Sequence, residues 1–222
     1  MKQRVLLKGK DAIDLLQRIS SVDLKKSEFG KIQEGLILNP QGKILSYFQI
    51  SLLNENDATV EFEDQFLELL EKYTFSEKFE IEKQEVTTSV TLSEKQRILA
   101  LKPKQGQEFT GDGTTNPLDV NLKSAVADQK GCYPGQEVIE KIISLGSPAK
   151  RLCMVQTNDA HALVVPQTLQ NAEGQDAGIL TSFAEGMGLA ILKKPYAAVG
   201  KELSVVDQAQ KSLKFKVMKV PS

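Results

Sequence analysis

The chain reads as an α+β protein that ends in a small β-barrel. Three observations predict this. The first half alternates short apolar strands with two amphipathic helices, a Gly- and Pro-rich loop breaks the pattern after residue 100, and the last third carries only short strands about ten residues apart. With 222 residues the chain is long enough for two domains, placed at 1–146 (α+β) and 147–222 (β-barrel).

Taken in order, "RVLLKG" predicts a strand and "DAIDLLQRIS" a helix with Ile13 and Leu16 on one face, capped by Asp11. "EGLILN" and "KILSYFQISLL" predict two strands paired as a hairpin through the "PQG" turn at Pro40 and Gly42. "ATVEFE" is the next strand. In "DQFLELLEKY", Phe66, Leu69, Leu70 and Tyr73 recur at i, i+3, i+4 and i+7, which predicts an amphipathic helix, and "KFEIEK" predicts a further strand. "SVTL" and "RILAL" also read as strands, and "KPKQGQEFTGDGTTNP" as a long loop with a flexible turn at "GDGTT". "LKSAVADQ" and "EVIEKIISL" predict helices before and after "KGCYPGQE". "RLCMVQT", "ALVV", "AGILTS", "MGLAIL", "ELSVV" and "LKFKVMKV" then supply the barrel strands.

Charge and composition exclude several functions. Lys plus Arg, 28, nearly balance Asp plus Glu, 29, for a net charge of −1, so no global basic field holds a polyanion, and direct nucleic-acid binding is not expected. Trp is absent and aromatics are few, against a base-stacking surface. The first apolar run is three residues, too short for a signal peptide or a membrane span, and a cytoplasmic protein is expected. Two cysteines, Cys132 and Cys153, and one histidine, His161, provide neither a disulfide framework nor a common zinc site. Metal ligation is therefore not expected.

"KGCYPGQE", Lys130 to Glu137, crowds a thiol, an ammonium, a phenol, a carboxamide and a carboxylate around two glycines and a proline. Cys132 lies just ahead of a helix start near Gly135, where unpaired N–H groups and Lys130 favour a reactive sulfur. Gly131 and Gly135 allow close backbone approaches and Pro134 stiffens the turn. Gln136 and Glu137 suit an amide-rich heterocycle such as a pterin. The alternative is a Gly-Pro turn with a buried structural cysteine.

The segment resembles the signature Lys-Gly-Cys-Tyr-x-Gly-Gln-Glu of the YgfZ-type folate-binding proteins, relatives of the T-protein (aminomethyltransferase) of the glycine cleavage system. "LLKGKDAIDLLQRISSVDL", "LILNPQGKIL", "RILALKPKQGQE", "NPLDVNL" and "DAGILTSFAEGMGLAIL" are similar to further family segments, with Asp119 where the family has Glu and Lys141 where Arg is common. The resemblance implies α+β subdomains and a C-terminal barrel that bind tetrahydrofolate. It also implies support of iron-sulfur cluster assembly or repair in client enzymes, including enzymes that modify tRNA. On it, Cys132 and Lys130 are the chemically active pair, and Tyr133, Gln136, Glu137, Asp119, Arg97 and Arg151 the folate contacts. Where the T-protein strand after the glycine turn carries paired aspartates, this chain has Ser46 and Tyr47, so aminomethyl transfer is the weaker expectation. His161 is read as solvated or packing, Cys153 as a buried strand residue.

Overall fold

The structure is a computed structural model that describes residues 1–86, 92–158, 163–206 and 212–221. The chain forms two compact units that interleave in sequence: Met1–Ser89, Thr110–Pro117 and Leu122–Lys141 in the first, Val90–Phe109, Leu118–Asn121 and Ile142–Ser222 in the second. The barrel unit thus takes chain from well before residue 147.

The first unit is built on five strands, β1 (Gln3–Lys8), β2 (Ile32–Leu38), β3 (Ile44–Leu52), β4 (Asp57–Phe62) and β5 (Glu80–Gln84), in the order β2-β3-β4-β1-β5. Every pairing is antiparallel. Along β3, burial alternates strictly: Phe48, Ile50 and Leu52 enter the core, while Tyr47, Gln49 and Ser51 between and beside them are only partly buried. Two helices, α1 (Lys10–Ile19) and α2 (Phe66–Tyr73), cover the apolar face, with Leu15, Leu16, Phe66 and Leu70 in one cluster with Leu7 and Phe48. Phe66 is fully buried and its ring centroid lies 5.0 Å from Phe48 and 4.9 Å from Phe62. Burying it contributes roughly 2–3 kcal/mol. Asp11 sits in the first turn of α1 but does not cap it; its carboxylate accepts the Lys78 N–H instead.

The second unit holds a closed barrel of β6 (Lys150–Gln156), β7 (Gln167–Gln170), β8 (Asp176–Ala184), β9 (Met187–Lys193), β10 (Glu202–Val206) and β11 (Ser212–Lys219), in the order β10-β11-β6-β9-β8-β7. Ser204 opposite Gln170 closes the ring. Its core includes Cys153, Leu180, Leu192, Leu203, Phe215 and Val217. "RILAL", expected as a strand, is instead a helix, α3 (Glu94–Leu99). Ser93 and Gln96 cap it reciprocally, and Ile98 and Leu101 pack with Leu152 and Leu189 of the barrel. "ALVV" is not a strand where it is described; β7 begins after Pro166. "LKSAVADQ" forms only a 3-10 turn at Lys123–Ala125. The helix after the signature is present as α4 (Gln136–Ser144). His161 and most of "SVTL" lie outside the described residues.

The "GDGTT" loop, expected to be flexible, is pinned along the start of β3. Ile44 N donates to Thr115 O at 2.9 Å, Gly113 N to Ile44 O at 3.0 Å, and Gln65 Nε2 to Gly111 O at 2.8 Å. Its backbone groups find partners in a neighbouring strand, a long-range fact that local Gly content hides.

Candidate functional site

In the signature, Lys130 is buried and its ammonium donates to the Ser20 carbonyl at the end of α1, 5.4 Å from the centre of the Tyr133 ring. Burial pushes its pKa down to about 8, against the pull of the Asp23 carboxylate. Cys132 is exposed, whereas Cys153 is buried in the barrel, where burial pushes its thiol up to about 12. Tyr133 is buried and its phenol pushed up to about 12, first by burial and then by the Glu140 and Asp128 carboxylates. Gln136 closes the loop on itself: Nε2 donates to Lys130 O at 3.3 Å and to Glu140 Oε1 at 2.5 Å. Glu137 is exposed in the first turn of α4.

The two glycines differ. Gly135 has φ +80° and a Cβ there would lie 2.5 Å from Asn39 O and 2.9 Å from Gly42 Cα, so the signature is seated on the β2–β3 turn through a contact only glycine permits. A Cβ on Gly131 would meet nothing within 4 Å. The expectation that both glycines serve a special backbone angle or a close approach holds for Gly135 alone.

The segment just ahead of the signature is stapled to the end of α1. Ser21 Oγ donates to Ala125 O at 2.5 Å and accepts the Leu36 N–H at 3.0 Å, while Ala127 N donates to Ser21 O at 3.0 Å. Between this segment and the solvent-side face of β2 and β3 lies a cavity of about 610 Å³, within the range of small-molecule sites. Asp23, Lys26, Glu34, Gln49, Ser124 and Asp128 supply its polar lining, and Val22, Ile32 and Ala125 part of its apolar lining. Glu34 Oε1 accepts the Tyr47 hydroxyl at 2.8 Å and Oε2 the Ser124 hydroxyl at 3.1 Å. Burial first, then the Glu34 carboxylate, pushes the Tyr47 phenol up.

Ser46 is buried and donates to Asp64 Oδ1 at 2.6 Å, and Tyr47 N donates to Asp64 Oδ2 at 2.9 Å. Two carboxylates, Asp64 and Glu34, therefore meet the Ser46–Tyr47 pair. Neither was expected from the sequence, because Glu34 comes from β2 and Asp64 from the bend between β4 and α2. For Glu34 the one signal available was register: it lies opposite Gln49, and Tyr47 is the next residue along β3 on that face.

Three residues expected at the folate belong to the second unit. Arg97 is buried; Nε and Nη2 bond Glu94, Nη1 bonds Lys102 O and Glu108 at 2.8 Å each, and Nη2 also reaches Ser182 at 2.6 Å. All its N–H groups are committed, so in this conformation it offers none to a ligand carboxylate. Asp119 Oδ1 accepts the Lys150 N–H at 3.3 Å, and Arg151 Nη2 donates to Ser147 Oγ at 3.4 Å.

With this geometry on the page, comparison with known proteins places the chain. Its fold is that of the T-protein: the glycine cleavage system aminomethyltransferase T from Bartonella henselae superposes with a TM-score of 0.84 over 98% of this chain and 83% of that one, at 14% identity. Residues 150–219 match the model of the CAF17 C-terminal β-barrel domain. A chloroplastic protein of Arabidopsis thaliana that is named as a transferase is 30% identical over 118 residues, which are 50% of this chain but only 26% of that relative. The chain therefore has a T-protein-like fold, and its C-terminal barrel is similar to that of the CAF17 family. Among the described residues no helix is long and apolar enough to cross a membrane.

Proposed function

We propose that the protein binds a reduced folate and uses the exposed Cys132 to support iron-sulfur cluster assembly or repair in client enzymes, including those that modify tRNA. The observation that carries this is one continuous segment: Ser124 to Asp128 lines the cavity, and four residues on the same strap displays the free thiol. The cavity suits a folate head. Its lining is rich in acceptors, matching the N–H edge of a pterin, and Val22, Ile32 and Ala125 offer apolar surface to a flat ring. Lys26 is the one cation in the lining for a glutamyl carboxylate. When bound, tetrahydrofolate would supply one-carbon or reductive chemistry; the chain's own part is to hold the head and present the thiol. Lys130, Tyr133 and Gln136 hold the segment that presents the thiol, and Glu137 is exposed in the first turn of α4. We place the protein in the cytoplasm, with client or assembly proteins as its partners.

Calorimetric titration with tetrahydrofolate tests the first half: saturable heat is expected, and no heat with no thermal shift at millimolar ligand overturns it. Complementation tests the second. Cys132→Ser is expected to bind folate but fail to restore cluster-dependent activity in cells lacking the protein.

A second reading, aminomethyl transfer, is favoured by Asp64 and Glu34, which bring carboxylates to the Ser46–Tyr47 pair. Asp64 is occupied by the Ser46 hydroxyl and the Tyr47 N–H, so this reading stands second. Ammonia release from an aminomethylated carrier protein at a rate comparable to a T-protein would reverse the order.

A further inference from the structure

The outer edge of β2, the terminal strand of its sheet, is covered over only half its length. Leu36 turns both backbone groups away from β3: its N–H donates to Ser21 Oγ at 3.0 Å and its carbonyl accepts the Ser21 N–H at 2.8 Å. Ser20 bridges Ile37 in the antiparallel sense on the same edge, so residues 20 and 21 act as one rung of an added strand. Residues of an antiparallel ladder alternate between bonding the neighbouring strand and facing away from it. The β2–β3 register is unbroken from Ile32 to Ile37, so Glu34 and Ile32 turn their N–H and C=O groups outward as Leu36 does. Among the described residues nothing bonds these four groups. The covering chain leaves the edge at Val22 and enters a 3-10 turn at Leu24–Lys26, and the lane it vacates opens into the cavity, which Ile32, Gln33 and Glu34 line from the β2 side. Ile32, at the open end, is 71% exposed. An apolar residue on an unpaired edge is a template for strand addition.

Charge says what kind of strand fits. Lys26 lies 3.4 Å from Asp23, which leaves Glu34 and Asp128 as the carboxylates of the lining without a cation among the described residues. A second copy of this edge would set Glu34 against its own charge, whereas a basic segment is attracted. In the direction set by Ser20 and Ser21, an added strand meets Glu34 first and Ile32 two residues later.

We infer that the open edge of β2 is a docking site for an extended segment of a partner protein, which pairs antiparallel with Ile32–Glu34 and carries a basic residue opposite Glu34 and an apolar one opposite Ile32. The inference stands apart from the folate reading. A strand in this lane fills the cavity, so segment and folate are expected to displace one another.

The probe is a fluorescein-labelled peptide, Thr-Lys-Thr-Val-Thr, titrated against the protein without folate and followed by anisotropy. Saturable binding is expected. Methylating the backbone nitrogens of the lysine and the valine, which face β2 in this pairing, is expected to weaken it at least about tenfold, and glutamate in place of lysine to weaken it by a factor that shrinks as salt rises. Ile32→Pro removes an outward N–H that the β2–β3 ladder does not use, and is expected to lower peptide affinity at least about tenfold while melting within about 3 °C of wild type. If that variant unfolds, the methylated peptide decides alone. No binding at millimolar peptide, or equal binding of the methylated and unmethylated peptides, overturns the inference and leaves the folate reading untouched. Binding of the peptide by a protein that takes up no tetrahydrofolate upholds the inference while the folate reading falls. If both bind at once, the peptide lies outside the cavity and the assignment is overturned.

Discussion

At the scale of single residues the structure separates two thiols and gives one lysine an unusual setting. Cys132 is exposed and Cys153 is not, so iodoacetamide is expected to modify Cys132 in the native protein and Cys153 only once denaturant opens the barrel; equal rates in the native state would make Cys132 structural. Cys153→Ser is expected to cost about 1–2 kcal/mol, because it puts a hydroxyl among barrel side chains with the Arg151 carbonyl, 3.5 Å from the present sulfur, as partner. Lys130 gives a pH signature. Its folded pKa is about 8 and its ordinary value 10.5, so between them the unfolded chain keeps a proton that the folded chain has lost. Stability therefore rises with pH across this window, and below it the folded state bears the cost of a buried charge. Urea midpoints from pH 7 to 10 should climb more steeply in wild type than in Lys130→Met; parallel curves would show that the ammonium is not desolvated. The thiol and the signature were readable in the sequence, but the destination of the Lys130 ammonium was not, because Ser20 lies 110 positions away.

At the scale of elements, what was legible followed local periodicity. The four-residue apolar stripe of α2 and the strict alternation of β3 are as the sequence predicts. The failures had other causes. "RILAL" is a short apolar run whose period is ambiguous, but Arg97, Leu99 and Ala100 are good helix formers and Ser93 and Gln96 form the capping box that starts the helix. The "GDGTT" loop and Glu34 acquire their roles from pairing across the fold, which no window of sequence contains. The seat of the signature makes a sharp contrast. Gly135→Ala is expected to cost several kcal/mol or displace the loop, since a Cβ would stand 2.5 Å from Asn39 O at positive φ, whereas Gly131→Ala is expected to stay within about 0.5 kcal/mol. Thermal melting of the two variants decides it, and equal melting points would mean that the signature is not held by the β2–β3 turn.

At the scale of the whole molecule, the second unit is organised around one buried charge cluster. Glu108 is 3% exposed and accepts from Arg97, the Lys104 N–H and the Thr181 and Ser182 hydroxyls. Glu108→Ala removes the partner of a buried guanidinium, and about 3–5 kcal/mol of stability is expected to go with it. An unchanged denaturation midpoint would show that water replaces the carboxylate freely. The sequence displayed Arg97 beside family segments and so suggested a ligand contact; that its donors are used up inside the protein depended on Glu94, Glu108 and Ser182 converging, which only tertiary structure can report.

The interleaving of the two units also governs how the protein can be made. Helix α3 leaves the ribosome well before Leu152 and Leu189, the barrel residues against which Ile98 and Leu101 are buried. At ordinary synthesis rates that delay is on the order of ten seconds, and a six-residue helix does not hold alone for so long. The nascent chain therefore carries an unfinished apolar segment until Leu189 has been made, so slowing synthesis between residues 101 and 189 should lengthen the period in which chaperones bind it, whereas slowing it before residue 90 should not.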